Sequence, residues 1–150
     1  MNIGLIGPAA ALGLAALGSA LGTGVASQAA VGGWKKCFIN NKPAPFLLAA
    51  FSGAPLTQTI YGFLLMLFIG NSVDNVWADL TMFHAAVGVF GGIAMGLSAW
   101  MQGKAAARAA DALAETGKGT ALYFMVIGIV ETVALFVMVF LLLLVNTKPA

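Results

Sequence analysis

Charge is what this chain has least of. Its 150 residues include only seven Lys or Arg and five Asp or Glu, 8% in all, while 61% are hydrophobic. A water-soluble domain of this length carries far more charge than that. With a mean hydropathy of +0.97, the solvent for most of the surface is lipid. One cysteine, Cys37, excludes a disulfide framework. No G-x-x-x-x-G-K-[ST] stretch occurs, and no polar segment is large enough to house a nucleotide domain. Any ATP chemistry must then come from partner chains, and no nucleic-acid partner is expected.

Glycine is abundant, 19 of 150, which lets membrane helices pack backbone to backbone. Four uncharged runs follow from the charge map: 3–33, 43–73, 80–103, and 119–147 with Glu131 as its one exception. Each exceeds the roughly 20 apolar residues needed to cross a bilayer core. The separators "WKKCFINNKPAP" and "GKAAARAADALAETGKG" hold Lys35, Lys36, Lys42, Lys104, Arg108 and Lys118, whereas "GNSVDNVWAD" carries only Asp74 and Asp79. The positive-inside rule puts loops 34–45 and 103–118 in the cytoplasm and both termini outside. The expected fold is an all-α, multi-pass membrane protein of two helical hairpins, 1–74 and 75–150. The first run has no preceding Lys or Arg and is too long for a signal-peptide core, so its removal is not expected.

A shift of 74 positions lays Gly18 on Gly92, Ala20 on Ala94, Gly22 on Gly96, Gln28 on Gln102, Thr57 on Glu131 and Gln58 on Thr132. Polar residues are scarce in such a chain, so these polar matches read as a duplicated hairpin. Gln102 and Glu131 are equidistant from a bend at Thr116/Gly117, and Gln28 and Thr57 from a bend at Lys42/Pro43. At 1.5 Å per residue all four lie roughly 20 Å from their turns, in one layer.

Glu131, in "GIVETVALFVMV", is the only acidic residue inside a span. Intramembrane carboxyls mark ion paths or proton relays by default; the bland alternative is a permanently protonated acid bonded to a neighbouring helix. In "GAPLTQTIYG", Thr57, Gln58 and Tyr61 share a helix face with Ala54 a turn earlier. Pro55 has no amide hydrogen, leaves the Phe51 carbonyl without its helical donor and bends the helix. Alone, these side chains read as interhelical glue. Together with Glu131 and Gln102 at one depth they make an all-oxygen shell, which suits a hard cation. One negative charge matches a monovalent ion, so Na⁺ is expected, with Li⁺ a chemical competitor. Tyr61 is placed to donate its hydroxyl to Glu131.

The segments "PLTQTIYG", "MQGKAA" and "IVET", with two glycine-rich hairpins, resemble the proteolipid of V-type ATPases, chiefly the bacterial Na⁺-translocating kind called subunit K. The resemblance spans nearly the whole chain. It implies a homo-oligomeric rotor ring in the cell membrane, non-catalytic itself, turned past a membrane stator by ATP hydrolysis elsewhere and gripped by a central stalk at its cytoplasmic loops. The implied Na⁺ ligands are Glu131, Thr57, Gln58, Gln102 and the carbonyl of Ala54, with Tyr61 in support; no organic cofactor is implied. An alanine at position 54 is smaller than the leucine expected there. A H⁺-carrying proteolipid is the runner-up, and a small four-helix exporter with an essential glutamate is the rival of another class. His84 is expected at the outer interface. Arg108, Asp111, Glu115 and Lys118 are expected on a solvated helix extension. Trp34, Trp77 and Trp100 are expected as interfacial anchors. The run "GLAALGSALGTG" in the first span is expected at a tight helix contact.

Overall fold

The computed structural model describes residues 3–75 and 80–147. Trp77, Asp79 and Lys148 therefore lie outside the described residues, and Asp74 is described in its backbone alone. Among the described residues every regular element is a helix: α1 (Ile6–Ile39), α2 (Leu48–Gly53), α3 (Thr57–Asn75), α4 (Thr81–Thr116) and α5 (Thr120–Asn146), with 3-10 turns at Ile3–Leu5 and Ala54–Leu56. Four continuous rods, Ile3–Ile39, Leu48–Val73, Thr81–Thr116 and Thr120–Asn146, are long and apolar enough to cross a membrane.

The second rod is α2, a 3-10 turn and α3 in succession, and the break falls at Pro55. A proline cannot supply the hydrogen bond that would continue α2. The chain tightens for one turn, and the Thr57 amide bonds back to the Ala54 carbonyl.

The turns fall where the hairpin bends were expected. Asn40 closes α1, and Asn41 takes a left-handed φ of 52°, which asparagine tolerates better than most residues. The indole of Trp34 then donates to the Pro45 carbonyl at 2.8 Å. At the other bend Gly117 (φ 65°) and Gly119 (φ 88°) turn the chain within three residues. The third separator is therefore mostly helix. Residues 103–116 continue α4, as the spacing of Arg108, Asp111 and Glu115 suggested, and the loop proper shrinks to 117–119.

The most extensive packing joins α1 to α4, which run parallel. A methyl added at Gly18 would overlap the Gly96 backbone; one at Gly88 would overlap Gly7, and one at Gly103 would overlap Gly22. The tight contact foreseen for the first span is thus made within the chain, against α4. Around this seam sit two cores. One gathers Ala26, Leu48, Phe51, Ala106 and Ile127, the other Ala15, Leu65, Ile69, Met95 and Met138. The cluster of polar groups described next lies between them.

At the loop end Lys36 pairs with Glu115 and Lys42 reaches the Glu115 carbonyl, so the two bends are tied together. Cys37 is buried, with its thiol towards the Ala114 carbonyl. Trp100 carries the Lys104 ammonium 3.8 Å above its ring.

Candidate cation site

Three rods converge on Glu131. Gln58, at the start of α3, is fully buried, and so is Gln102 on α4. The Thr57 hydroxyl lies 3.1 Å from both the Ala54 carbonyl and Gln58 Oε1, and its single hydrogen serves one of them at a time. Gln58 Nε2 donates to Gln102 Oε1 at 2.9 Å. Gln102 Nε2 donates to Glu131 Oε2 at 3.1 Å and is 3.3 Å from the Ile127 carbonyl. Tyr61 OH donates to Glu131 Oε1 at 2.8 Å.

Every bond in this chain points the same way. Hydroxyl gives to amide, amide to amide, and amide and phenol to carboxylate. Both oxygens of Glu131 have a donor within hydrogen-bond distance. Both donors are neutral, so an ionised carboxyl here would still need a counter-charge.

The 3-10 turn at Ala54–Leu56 lies where the polar groups of the second rod gather. The Thr57 hydroxyl turns back onto the Ala54 carbonyl, a bond that threonine also makes within regular helix, as Thr132 does to Ile129. Thr57, Gln58, Tyr61, Gln102, Glu131 and Ala54 thus form one connected group, linked as the spacing suggested. The structure does not bring Gln28 into it. That side chain is exposed, although its depth along the hairpin is right.

Two contacts were missed in the sequence. Ser98 donates across to the Val130 carbonyl at 3.0 Å, holding α5 against α4 one residue before Glu131. The carbonyl of Ile127, a turn earlier on α5, helps orient the Gln102 amide. Ser98 lies four residues before Gln102 and so on the same face of α4, the only signal that could have found it. His84 is a correction. Expected at the interface, it is fully buried, with Nε2 at 3.0 Å from Ser72 Oγ, which in turn donates to the Val145 carbonyl. Nearby, α1 approaches closely at Gly7, where a side chain would overlap the His84 backbone.

The four-span bundle thus holds one carboxyl at mid-depth, bonded to one amide and one phenol. Residues 85–144 match the family of the ATP synthase C subunit. The A-type ATP synthase subunit K of Methanocaldococcus jannaschii is 36% identical over 148 residues, which cover 95% of this chain and 61% of that protein. The chain therefore spans about three fifths of that relative's length. The chain is thus similar over nearly its whole length to an A-type proteolipid of the subunit K kind, and over its second hairpin to the ATP synthase C subunit.

Proposed function

We propose that the chain is a non-catalytic rotor proteolipid that carries one Na⁺ per copy, with Glu131 as the charged ligand. Thr57 Oγ1, Gln58 Oε1, Gln102 Oε1 and the Ala54 carbonyl complete the oxygen shell, and Tyr61 orients the carboxylate. The observation that carries this reading is the gathering of the Glu131 carboxyl, the Gln58 and Gln102 amides, the Thr57 hydroxyl and the Ala54 carbonyl into one connected group. An ionised carboxylate at this depth needs a counter-charge, and a monovalent cation supplies it. Sodium fits the number and hardness of the oxygens.

Copies assemble into a ring, read from the family, with a membrane stator and a central stalk as partners. ATP is hydrolysed in other subunits, and no organic cofactor is needed. The two hairpins 1–74 and 75–150 are a duplicated pair of which only the second keeps a carboxylate. Each copy then moves one ion for four spans, which raises the ATP energy available per ion. The basic loops face the cytoplasm and the termini face outward.

A carbodiimide attacks the protonated acid, so bound sodium should slow the modification of Glu131. The sodium needed for protection should rise as pH falls, because proton and cation compete for one group. Modification that follows pH alone, indifferent to sodium from micromolar to molar, would replace Na⁺ by H⁺ as the cargo. That second reading is favoured by one feature: Tyr61 and Gln102 already satisfy both carboxylate oxygens.

A further inference from the structure

Two hydroxyls on α1, Ser19 Oγ and Thr23 Oγ1, are buried without a hydrogen-bond partner. They are four residues apart and so share a helix face, and Ser19 is only 1% exposed. The membrane interior offers no bulk solvent to such groups.

The packing of α1 against the second rod shows what they face. A methyl added at Gly62 would lie 2.6 Å from Ala15 Cβ, and one at Gly22 would lie 2.9 Å from Pro55 Cβ. The two rods are antiparallel. Four residues forward from Ala15 is Ser19, and four back from Gly62 is Gln58. One residue forward from Gly22 is Thr23, and one back from Pro55 is Ala54. The orphaned hydroxyls therefore stand at the depth of Gln58 and Ala54, on the wall that α1 gives the site.

Gln58 Nε2 carries two hydrogens, and one is committed to Gln102. No direct bond joins Ser19 or Thr23 to the amide, and polar groups facing one another beyond bonding distance are bridged by water where room allows. We propose that Ser19 Oγ, Thr23 Oγ1 and the second amide hydrogen of Gln58 hold one buried water molecule behind the cation site. Three polar partners match the usual set for an internal water. Its consequence for transport rests on the cation-carrying reading above: the water fixes the Gln58 amide and offers an additional oxygen to the ion. The larger Na⁺ uses such an oxygen, while the smaller Li⁺ is satisfied by fewer ligands.

A high-resolution map of the full chain in its native oligomer, prepared in choline and again in Na⁺, decides the first point. Density bonded to Ser19 Oγ and Gln58 Nε2 is expected in both, and its loss is expected in the double variant Ser19→Ala, Thr23→Val. Both hydroxyls turned onto carbonyls of their own helix, with no density between the rods, would overturn the proposal. The double variant should also need about 5- to 50-fold more Na⁺ to protect Glu131, with a smaller change for Li⁺. Equal changes for the two ions, or none, would refute the ligand role. If Na⁺ fails to protect the native protein, the sodium assignment falls, and the map still decides whether the water is there.

Discussion

At the scale of single residues, the polar chain behaves as one unit, because removing any link leaves a buried donor or acceptor unmatched. Gln102 accepts from Gln58 and donates to Glu131. Gln102→Ala should weaken sodium protection by about 5- to 150-fold, the equivalent of about 1–3 kcal/mol for an unmatched buried polar group. Tyr61→Phe removes one donor to a charged oxygen, so a loss of about ten-fold or more is expected from the usual 1.5–3 kcal/mol of such bonds. In both variants Glu131 should remain open to carbodiimide, and a titration of labelling against Na⁺ checks each one. The six residues of the polar cluster could be read together because polar atoms are rare in the spans and equal distance from a bend sets equal depth. Depth does not fix which way a side chain faces. Gln28 has the depth of the cluster and stays exposed. The burial of His84 comes with a bond to Ser72 on another rod, and no local pattern reports that.

Elements were easier to read than contacts between them. Runs without charge locate the rods, although α1 continues past Lys35 and Lys36 to Ile39 and α4 past Lys104 to Thr116; Pro55, Gly117 and Gly119 mark the breaks, because each has backbone chemistry that forbids or permits one conformation. The far end of α4 was harder, since a helix that leaves the membrane keeps its geometry while its composition turns polar. The glycine seam could be recognised as an interface from α1 alone, but its partner could not. At Gly18 and Gly22 the opposing surface is backbone of α4, with the Pro55 ring also touching Gly22. Gly18→Ala should cost at least about 1–3 kcal/mol, the usual range for overpacking a tight core, and Gly18→Leu should prevent the fold. The measurement is the yield of intact oligomer in mild detergent together with helicity. Normal assembly of the leucine variant would mean that α1 and α4 do not meet as closely as described.

For the whole molecule, the two bends are fastened at one end by Lys36 and Glu115. Both residues are exposed, so the pair adds little stability. It nevertheless holds the two loops side by side. Cysteines placed at Asn41 and Lys118 should react with impermeant reagents only from the cytoplasmic side, and one at Lys148 only from outside. Cys37, being buried, should give a low background. Labelling of Asn41 and Lys148 from the same side would overturn the four-span orientation.

The seam between α1 and α4 also gives the chain a shape. Where those helices meet, their backbones touch, with glycine facing glycine at Gly18 and Gly96, Gly7 and Gly88, and Gly22 and Gly103. Along α5, by contrast, Leu122, Phe136, Phe140 and Leu143 stand out from the surface. In the ring proposed above, two helices drawn together at one edge and a bulkier one at the other would make each copy a wedge, like a stone cut for an arch. Identical stones laid side by side cannot make a straight wall. They turn through a fixed angle at each joint, and the difference in thickness between the two edges sets how many are needed to close the circle. The missing side chains of α1 and α4 would then act as a ruler for the diameter of the assembly.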